Sequence, residues 1–247
     1  MIKRVVLLIV CLPLLWVVAC KKQVEKSDFV QVKDYNPLKV GSVFIYRLDS
    51  TLPNTFGASL IKKYYLAKDS VESEFTDAAG RKAFRIFRFI TDTLMLQPYK
   101  YTATYAAVFS NNSIEFLDKN LRFISLANPV SLNTTWKGNS YVNGTPITVN
   151  NTSNYGNWDY QYLHINKPFT VRKGVIDSTI FVQQVADSTA TVFDPNFIYG
   201  KNYSIEVYAK GVGLIYKDFL CYFYQTTPIK TFEEGSFGIK LSLVSYK

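Results

Sequence analysis

The stretch SLIKKYYLAKDSVESEFTDAAGRKAFRIFRFITD, residues 59–92, predicts the fold class of this chain. It holds two long segments rich in β-branched and aromatic residues, Ser59–Ser73 and Lys82–Asp92, a composition that favours strands. Between them, Thr76–Arg81 contains an Asp and a Gly, which supply turn chemistry. The stretch therefore predicts a pair of long strands joined by a short connection.

The same pattern continues on both sides of this pair. Short turn signals such as Asn111-Asn112 and Asp118-Lys-Asn120 separate further strand-forming runs, and helical periodicity is weak beyond the N-terminus. We expect long loops over residues 128–156, with short strand pieces around Tyr141 and Ile147, and a short turn of helix near Phe193–Tyr199. The other predicted strands are Val43–Leu48, Tyr99–Ser110, Ser113–Leu117, Leu121–Ala127, Trp158–Ile165, Thr170–Arg172, Val175–Ala186, Ser204–Ala209, Gly213–Gln225 and Gly238–Ser245.

Many strands at short spacing predict an all-β fold. The composition agrees, with 18 Tyr and 18 Phe against only 2 Met. We expect a single antiparallel, strongly bent sheet that forms a partly open barrel or a sandwich, preceded by an N-terminal signal-peptide helix. Because no linker-like stretch divides residues 35–247, they are predicted to form one domain.

The first 20 residues predict export and a lipid anchor. Lys3 and Arg4 precede an apolar run from Val5 to Ala19, which is shorter than the about 20 residues needed to span a bilayer and has the size of a signal-peptide core. Val17-Val-Ala-Cys20 resembles the lipobox of bacterial lipoproteins, which implies cleavage before Cys20 and lipidation of its thiol. We therefore expect a signal peptide at 1–19 and a flexible lipid-anchored tether at 20–34. An ordinary signal peptide or a membrane-anchored helix is the alternative.

The charge pattern argues against nucleic-acid binding. The formal net charge is +9, and loss of the signal peptide lowers it by two. Lys and Arg are scattered singly along the strands rather than concentrated in a basic run, which indicates solvated strand faces. Attraction to anionic lipid head groups is the alternative.

Candidate catalytic and metal-binding residues are few. His164 is the single histidine, which leaves little for triad catalysis or a multi-histidine metal site; strand alternation predicts that it shares a face with Tyr160 and Tyr162. With Cys20 lipidated, Cys221 has no disulfide partner in the mature chain and is expected to be a buried, inert thiol. We expect no catalytic residues, no metal, no cofactor and no enzyme activity, while Glu72, Glu74, Glu233, Glu234 and His164 are the residues on which an enzyme would depend.

Two kinds of binding site remain open. Aromatic side chains in and beside the Asn- and Gly-rich stretch could stack on sugar rings, and the candidates are Trp136, Tyr141, Tyr155, Trp158 and Tyr160. Alternatively, a Phe- and Tyr-lined barrel interior could hold an acyl chain. Our first hypothesis is a non-catalytic binding module for a partner protein or an apolar ligand, and the second is a carbohydrate-binding accessory protein.

Two segments resemble a known group of proteins. Tyr35-Asn-Pro-Leu-Lys-Val-Gly-Ser-Val-Phe-Ile-Tyr46 resembles the opening Y-x-P-L-x-x-G-x-x-W-x-Y of uncharacterised Bacteroidota lipoproteins, with Phe44 in place of Trp. Tyr208-Ala-Lys-Gly-Val-Gly-Leu-Ile-Tyr-Lys-Asp218 resembles their late Y-A-x-G-V-G-L-V-x-x-E segment, with Asp218 in place of Glu. The resemblance implies an envelope β-domain and brings no catalytic residues with it.

The resemblance also carries two expectations about processing and location. Proteins of this group are O-glycosylated at Asp-Ser/Thr followed by an aliphatic residue or Thr, although the same dipeptides serve as ordinary turn residues. The matching hydroxyls here belong to Ser50, Ser70, Thr93, Ser178 and Ser188. Lys21-Lys22 follow Cys20 where an acidic run would resemble a surface-export signal, so we expect an outer-membrane anchor that faces the periplasm. The expected partners are the membrane and an envelope protein, lipid or glycan.

Overall fold

The structure is a computed structural model that describes residues 30–143 and 155–247. The predicted signal peptide, Cys20, most of the tether and the strand piece expected around Ile147 lie outside the described residues. None of the helices in the described ranges is long and apolar enough to cross a membrane.

The described chain forms thirteen strands and two short 3₁₀ helices, at Val32–Tyr35 and Tyr155–Asn157. The strands are β1 Val43–Pro53, β2 Leu60–Thr76, β3 Lys82–Asp92, β4 Lys100–Phe109, β5 Ser113–Asp118, β6 Leu121–Ala127, β7 Thr135–Lys137, β8 Asp159–Val171, β9 Gly174–Ser188, β10 Tyr199–Ala209, β11 Gly213–Gln225, β12 Thr231–Phe232 and β13 Phe237–Tyr246. The hairpin predicted from residues 59–92 is β2 paired with β3.

All the strands belong to one antiparallel sheet, with the order β6-β5-β4-β3-β2-β1-β13-β11-β10-β9-β8-β7 and β12 beside β11. The sheet bends into a nearly closed barrel, so the two end strands, β6 and β7, meet along a seam. The backbone N–H of Ile124 in β6 donates to Gly138 O just after β7, at 2.8 Å. The prediction of a bent, partly open all-β barrel is confirmed.

Several local predictions were wrong. Residues 159–171 form one continuous strand where we expected two, and the short strand before it is β7 rather than a piece around Tyr141, which lies in a turn. The helical turn expected at Phe193–Tyr199 is absent from this described loop. The Asp194 side chain accepts the Asn196 N–H at 2.9 Å, so the chain forms a side-chain-capped turn instead.

Bulges explain the unexpected length of β8. Its register against β9 shifts at three places, and each shift bends the strand without ending it. The far end of this hairpin reaches β13, where Lys173 N donates to Leu243 O at 3.3 Å. Val171 is buried there in a core cluster that also contains Ile215 and Leu243.

The N-terminal 3₁₀ helix lies against one end of the barrel, within the segment expected to be tether. Val32 and Tyr35 are buried, and Gly211 N donates to Asp34 O at 2.8 Å. Gly211 and Gly213 have φ of +74° and +111°, which favour glycine, and they form the turn between β10 and β11. The two segments that carry the family resemblance also contact each other, since the Tyr46 hydroxyl donates to Leu214 O at 2.9 Å.

Candidate binding cavity

The barrel interior contains a cavity of about 420 Å³. Apolar side chains from strands on opposite sides of the barrel, together with Leu38 before β1, supply much of its wall. They include Leu38, Phe44, Ile86, Ile114, Phe116, Leu121, Phe123, Leu214, Phe219, Phe237, Ile239 and Leu241. The size lies within the range of about 300–1,000 Å³ that is typical of small-molecule sites.

One buried ion pair crosses from β2 to β3 in the cavity wall. Arg88 Nε and Nη2 donate to Asp69 Oδ1 and Oδ2, both at 2.6 Å, which is the bidentate geometry that favours Arg over Lys. Burial alone would lower the pKa of Arg88, but the charge and hydrogen bonds of Asp69 outweigh it and raise the pKa. Arg88 therefore stays charged inside the protein.

A second ion pair joins β10 to β11. Lys217 Nζ lies 2.8 Å from Glu206 Oε1, and the Tyr208 hydroxyl donates to Glu206 Oε2 at 2.5 Å. Nearby, Ser204 Oγ donates to Gln184 Oε1 at 2.6 Å. The cavity thus combines an apolar wall with two ion pairs.

Tyrosines complete the polar lining. The Tyr46 hydroxyl donates to Leu214 O at 2.9 Å, and the Tyr160 hydroxyl donates to Asn139 Oδ1 at 2.6 Å. Burial, reinforced by nearby carboxylates, raises the pKa of Tyr46 and Tyr208 above the usual range. These hydroxyls remain protonated and available as neutral hydrogen-bonding groups.

Asp118 ends β5 and also lines the cavity, but it makes no ion pair with any described residue. Its cross-strand neighbour is Tyr105, whose ring centroid lies 5.1 Å from that of Phe116. Phe123 and Tyr155 add an edge-to-face pair to the same cavity lining, at 6.4 Å between centroids. A half-exposed carboxylate therefore lies in a cavity lined by aromatic rings.

The five residues predicted to stack on sugars are mostly buried. Tyr155, Trp158 and Tyr160 are 5%, 7% and 2% exposed, and Tyr155 and Tyr160 line the cavity. Trp136 is half-buried and donates from Nε1 to Ile124 O at 2.7 Å, whereas Tyr141 is exposed. The structure brings four of them into contact through ring pairs, but not as an exposed platform.

The residues on which an enzyme would depend are dispersed. Glu72 and Glu74 are exposed and face Arg85 and Lys82 at 3.9 and 2.9 Å. His164 is exposed and contacts Phe181, so the expectation that it shares a face with Tyr160 and Tyr162 was wrong. A bulge between Tyr162 and His164 reverses the side on which the histidine projects.

The remaining candidates occupy separate positions. Glu233 and Glu234 lie between β12 and β13 and are not among the residues that line the cavity. Cys221 is buried, and its thiol lies 3.0 Å from Asn202 Oδ1. In the ranges 30–143 and 155–247, no group of three or more His, Cys, Asp or Glu side chains is arranged to hold a metal ion.

The predicted glycosylation sites are distributed over the molecule. Ser178 and Ser188 are exposed, while Ser50, Ser70 and Thr93 are half-buried. Asp69, which precedes Ser70, belongs to the interior ion pair, and Asp92, which precedes Thr93, accepts backbone N–H groups of its turn. Modification at the five hydroxyls stays a prediction.

The charged cavity residues Asp69, Arg88 and Glu206 were missed from the sequence. The sequence did contain a signal for Arg88, because Phe84, Ile86, Arg88 and Ile90 are alternate residues of one strand. Alternate residues lie on the same face of a sheet unless a bulge intervenes, so the arginine is expected on the apolar face. The same signal applies to Asp69 between Ala67 and Val71. The scattered distribution of Lys and Arg along the strands instead predicts solvated strand faces, and for Arg88 that prediction is wrong.

Comparisons with known proteins give two similar structures. A protein of Bacteroides fragilis described as exported, with a YmcC-like fold, matches with a TM-score of 0.33 and 7% identity, over 84% of this chain and 97% of its own. A protein of Parabacteroides distasonis described as a lipoprotein matches with a TM-score of 0.33 and 10% identity, over 85% and 96%. Superpositions this loose carry no argument about function. No family model and no curated protein matches the sequence.

Proposed function

We propose that this chain is a lipid-anchored envelope lipoprotein that binds an amphipathic small molecule inside its barrel without catalysis. The observation that carries the proposal is the interior cavity of about 420 Å³, with its apolar wall and a few buried polar groups. Such concave, mostly apolar sites with few polar groups are typical of small-molecule binding.

The lining favours an amphipathic ligand over a purely apolar one. The ion pairs Asp69–Arg88 and Glu206–Lys217 and the hydroxyls of Tyr46 and Tyr208 are expensive to keep in contact with hydrocarbon alone. A ligand with a polar end can meet these groups while its apolar part covers Phe, Leu and Ile side chains. A carbohydrate platform on the outer surface is not part of the proposal, because three of its five candidate residues are buried.

The membrane anchor in this proposal is Cys20. The described chain starts at the barrel end that carries the β10–β11 turn, so a tether over residues 20–30 would leave from that end. Ten extended residues reach at most roughly 35 Å, which would keep the domain close to the membrane. The periplasmic face of the outer membrane is the proposed location, and nucleic acid is not a proposed partner.

Cavity binding can be tested with the neutral fluorescent probe N-phenyl-1-naphthylamine. The protein would be the chain from residue 20 with Cys20→Ser, so that no acyl chain is attached. We expect saturable binding, and Ala107→Phe should weaken it by about tenfold or more, because Ala107 lines the cavity and the added ring would occupy part of it.

The matched control is Ala106→Phe, the same change one residue away on β4, where Ala106 is absent from the cavity lining. It should leave probe binding unchanged. An absence of saturable binding, or an equal loss in both variants, would overturn the binding proposal. Native mass spectrometry of gently purified protein would then report any ligand carried from the cell.

The lipid anchor is tested separately by metabolic labelling with alkynyl palmitate. The full chain should incorporate label, and Cys20→Ala should abolish it. A mature N-terminus at any residue other than Cys20 would contradict this part of the proposal.

A further inference from the structure

We infer that the ligand carries a positive charge at its polar end, held as an ammonium group near Asp118. This inference rests on the proposed function and names the chemical class of the ligand. An apolar chain that ends in an ammonium group is the simplest molecule of this class.

The first step is the charge of the cavity lining. The charged side chains that line it are Asp69, Arg88, Asp118, Glu206 and Lys217. Two carboxylates and both cations are used in the two ion pairs, so Asp118 is left as the carboxylate without a cationic partner among the described residues. Residues 144–154 contain no Asp, Glu, Lys or Arg. An anionic head group would therefore enter a cavity that already has an excess negative charge.

The second step is the aromatic surroundings of Asp118. Tyr105 lies directly across from it on β4, which places the two side chains on one face about 5 Å apart at their Cβ atoms. One face of the Tyr105 ring is already covered by the Arg88 guanidinium, 4.9 Å from the ring centroid. Phe116 precedes Asp118 by two residues on the same strand face, and Tyr155 lies near enough for the Asp118 charge to contribute, after burial and Glu206, to raising its pKa. Phe116 and Tyr155 are therefore the aromatic rings left near this carboxylate, and proteins hold ammonium groups against aromatic faces.

The third step is the path for the apolar part. Asp118 is half-exposed at the end of β5, while Phe44, Ile86 and Leu241 line the cavity and are buried. A chain could therefore lie among the buried apolar side chains while its ammonium end stays beside Asp118. Arg88 and Lys217 do not compete for Asp118, because each already holds its own carboxylate.

The test compares three probes with the same twelve-carbon chain, dodecyltrimethylammonium, dodecan-1-ol and dodecanoate, used below their micelle concentrations. Each is titrated against N-phenyl-1-naphthylamine bound to the Cys20→Ser chain. We expect the ammonium compound to displace the dye at concentrations about tenfold lower than dodecanoate, with dodecan-1-ol in between. Asp118→Asn should reduce the preference to less than about threefold and leave dodecan-1-ol unchanged.

The matched control is Asp177→Asn, which removes one carboxylate from an exposed position on β9 that is not in the cavity lining. It should keep the full ammonium preference. A wild-type preference for dodecanoate, or an ammonium preference that survives Asp118→Asn, would overturn the inference. Failure of the proposed function is a different result, because then dodecan-1-ol would not displace the dye or the dye would not bind.

Discussion

At the scale of single residues, the interior ion pair Asp69–Arg88 is the most consequential feature. Both side chains are about nine-tenths buried, and their contact is short and bidentate. Pairs of this kind contribute little net stability over an apolar replacement, but loss of one member leaves a buried charge without compensation. The pair therefore fixes the polarity of the cavity more than it stabilises the fold.

The difference between removing one member of the pair and replacing both gives a prediction. Asp69→Leu should lower the free energy of unfolding by about 3–5 kcal/mol, because Arg88 is left charged and unpaired in the interior. The double variant Asp69→Leu/Arg88→Met should recover most of that loss. Urea denaturation of the three proteins measures both effects.

An exposed ion pair on the same hairpin provides the control. Lys82 and Glu74 are 55% and 48% exposed, so Glu74→Gln should change the free energy of unfolding by less than about 1 kcal/mol. If Asp69→Leu/Arg88→Met is as unstable as Asp69→Leu alone, the loss in free energy of unfolding does not come from an unpaired Arg88.

At the scale of secondary-structure elements, the seam between β6 and β7 has no strand ladder in the described sheet. Ladders of paired residues, several of them with bulges, join the other neighbouring strands, whereas the described residues of the seam are joined by the bond from Ile124 to Gly138 and by side-chain bonds. The Trp136 indole donates to Ile124 O. The Tyr162 hydroxyl donates to Ala127 O at 2.8 Å and accepts from Ala127 N at 3.1 Å.

The second prediction concerns this seam. Tyr162→Phe should lower the free energy of unfolding by about 1–3 kcal/mol, because Ala127 loses both hydrogen bonds while it stays largely covered. Amide hydrogen exchange should accelerate in β6 before it accelerates in β1–β3.

Tyr101→Phe is the matched control, since Tyr101 is 58% exposed and its hydroxyl bonds only to Thr104 Oγ1, on the outer surface. It should change neither stability nor exchange measurably. If amide hydrogen exchange in Tyr162→Phe accelerates equally in all strands, the seam does not open separately from the rest of the sheet.

At the scale of the whole molecule, the N-terminal 3₁₀ helix closes one end of the barrel. Tyr35 is fully buried and Val32 is 2% exposed. Val32 N donates to Asn128 Oδ1 at 3.3 Å, and the Tyr35 hydroxyl donates to Asn166 Oδ1 at 3.2 Å. Four residues next to the tether therefore connect the β6–β7 loop with β8 and with the β10–β11 turn.

The third prediction is that removal of this segment destabilises the domain although it removes no strand. A chain that starts at residue 37 should lose at least about 3 kcal/mol relative to one that starts at residue 30, because burial of Val and Tyr side chains contributes about 1.5–3 kcal/mol each. Urea denaturation measures the difference.

A chain that starts at residue 20 with Cys20→Ser serves as the reference and should match the one that starts at residue 30. Equal denaturation midpoints for the chains starting at residues 30 and 37 would contradict a structural role for the 3₁₀ helix.

Local sequence was sufficient to predict most strands of this molecule. The predicted bounds of β3, β6 and β11 are the observed ones, because turn residues flank these strands and their side-chain composition is unambiguous. The two- and three-residue strands β12 and β7 were missed at these positions, since segments this short have no periodicity of their own. They form by pairing with β11 and β8.

The candidate site was harder to predict than the strands. The aromatic residues around positions 155–160 were singled out, but their role as interior lining depends on which side of the sheet is concave. Glu206 and Asp118 could not be distinguished from solvated charges in the sequence, whereas Arg88 stands among apolar residues of the same strand alternation.

What the sequence determined by itself is the all-β class, most of the strands and the turns between them, because these follow from contacts between residues near in the chain. What only the tertiary structure decided is the closure of the barrel and the choice of side chains that face its cavity. Each bulge shifts the two-residue alternation of a strand, as at His164 and Gln184. Counting alternate residues from a distant position therefore does not tell which side chains face inward. Buried charges in particular need partners on neighbouring strands, and only the folded sheet brings those partners together.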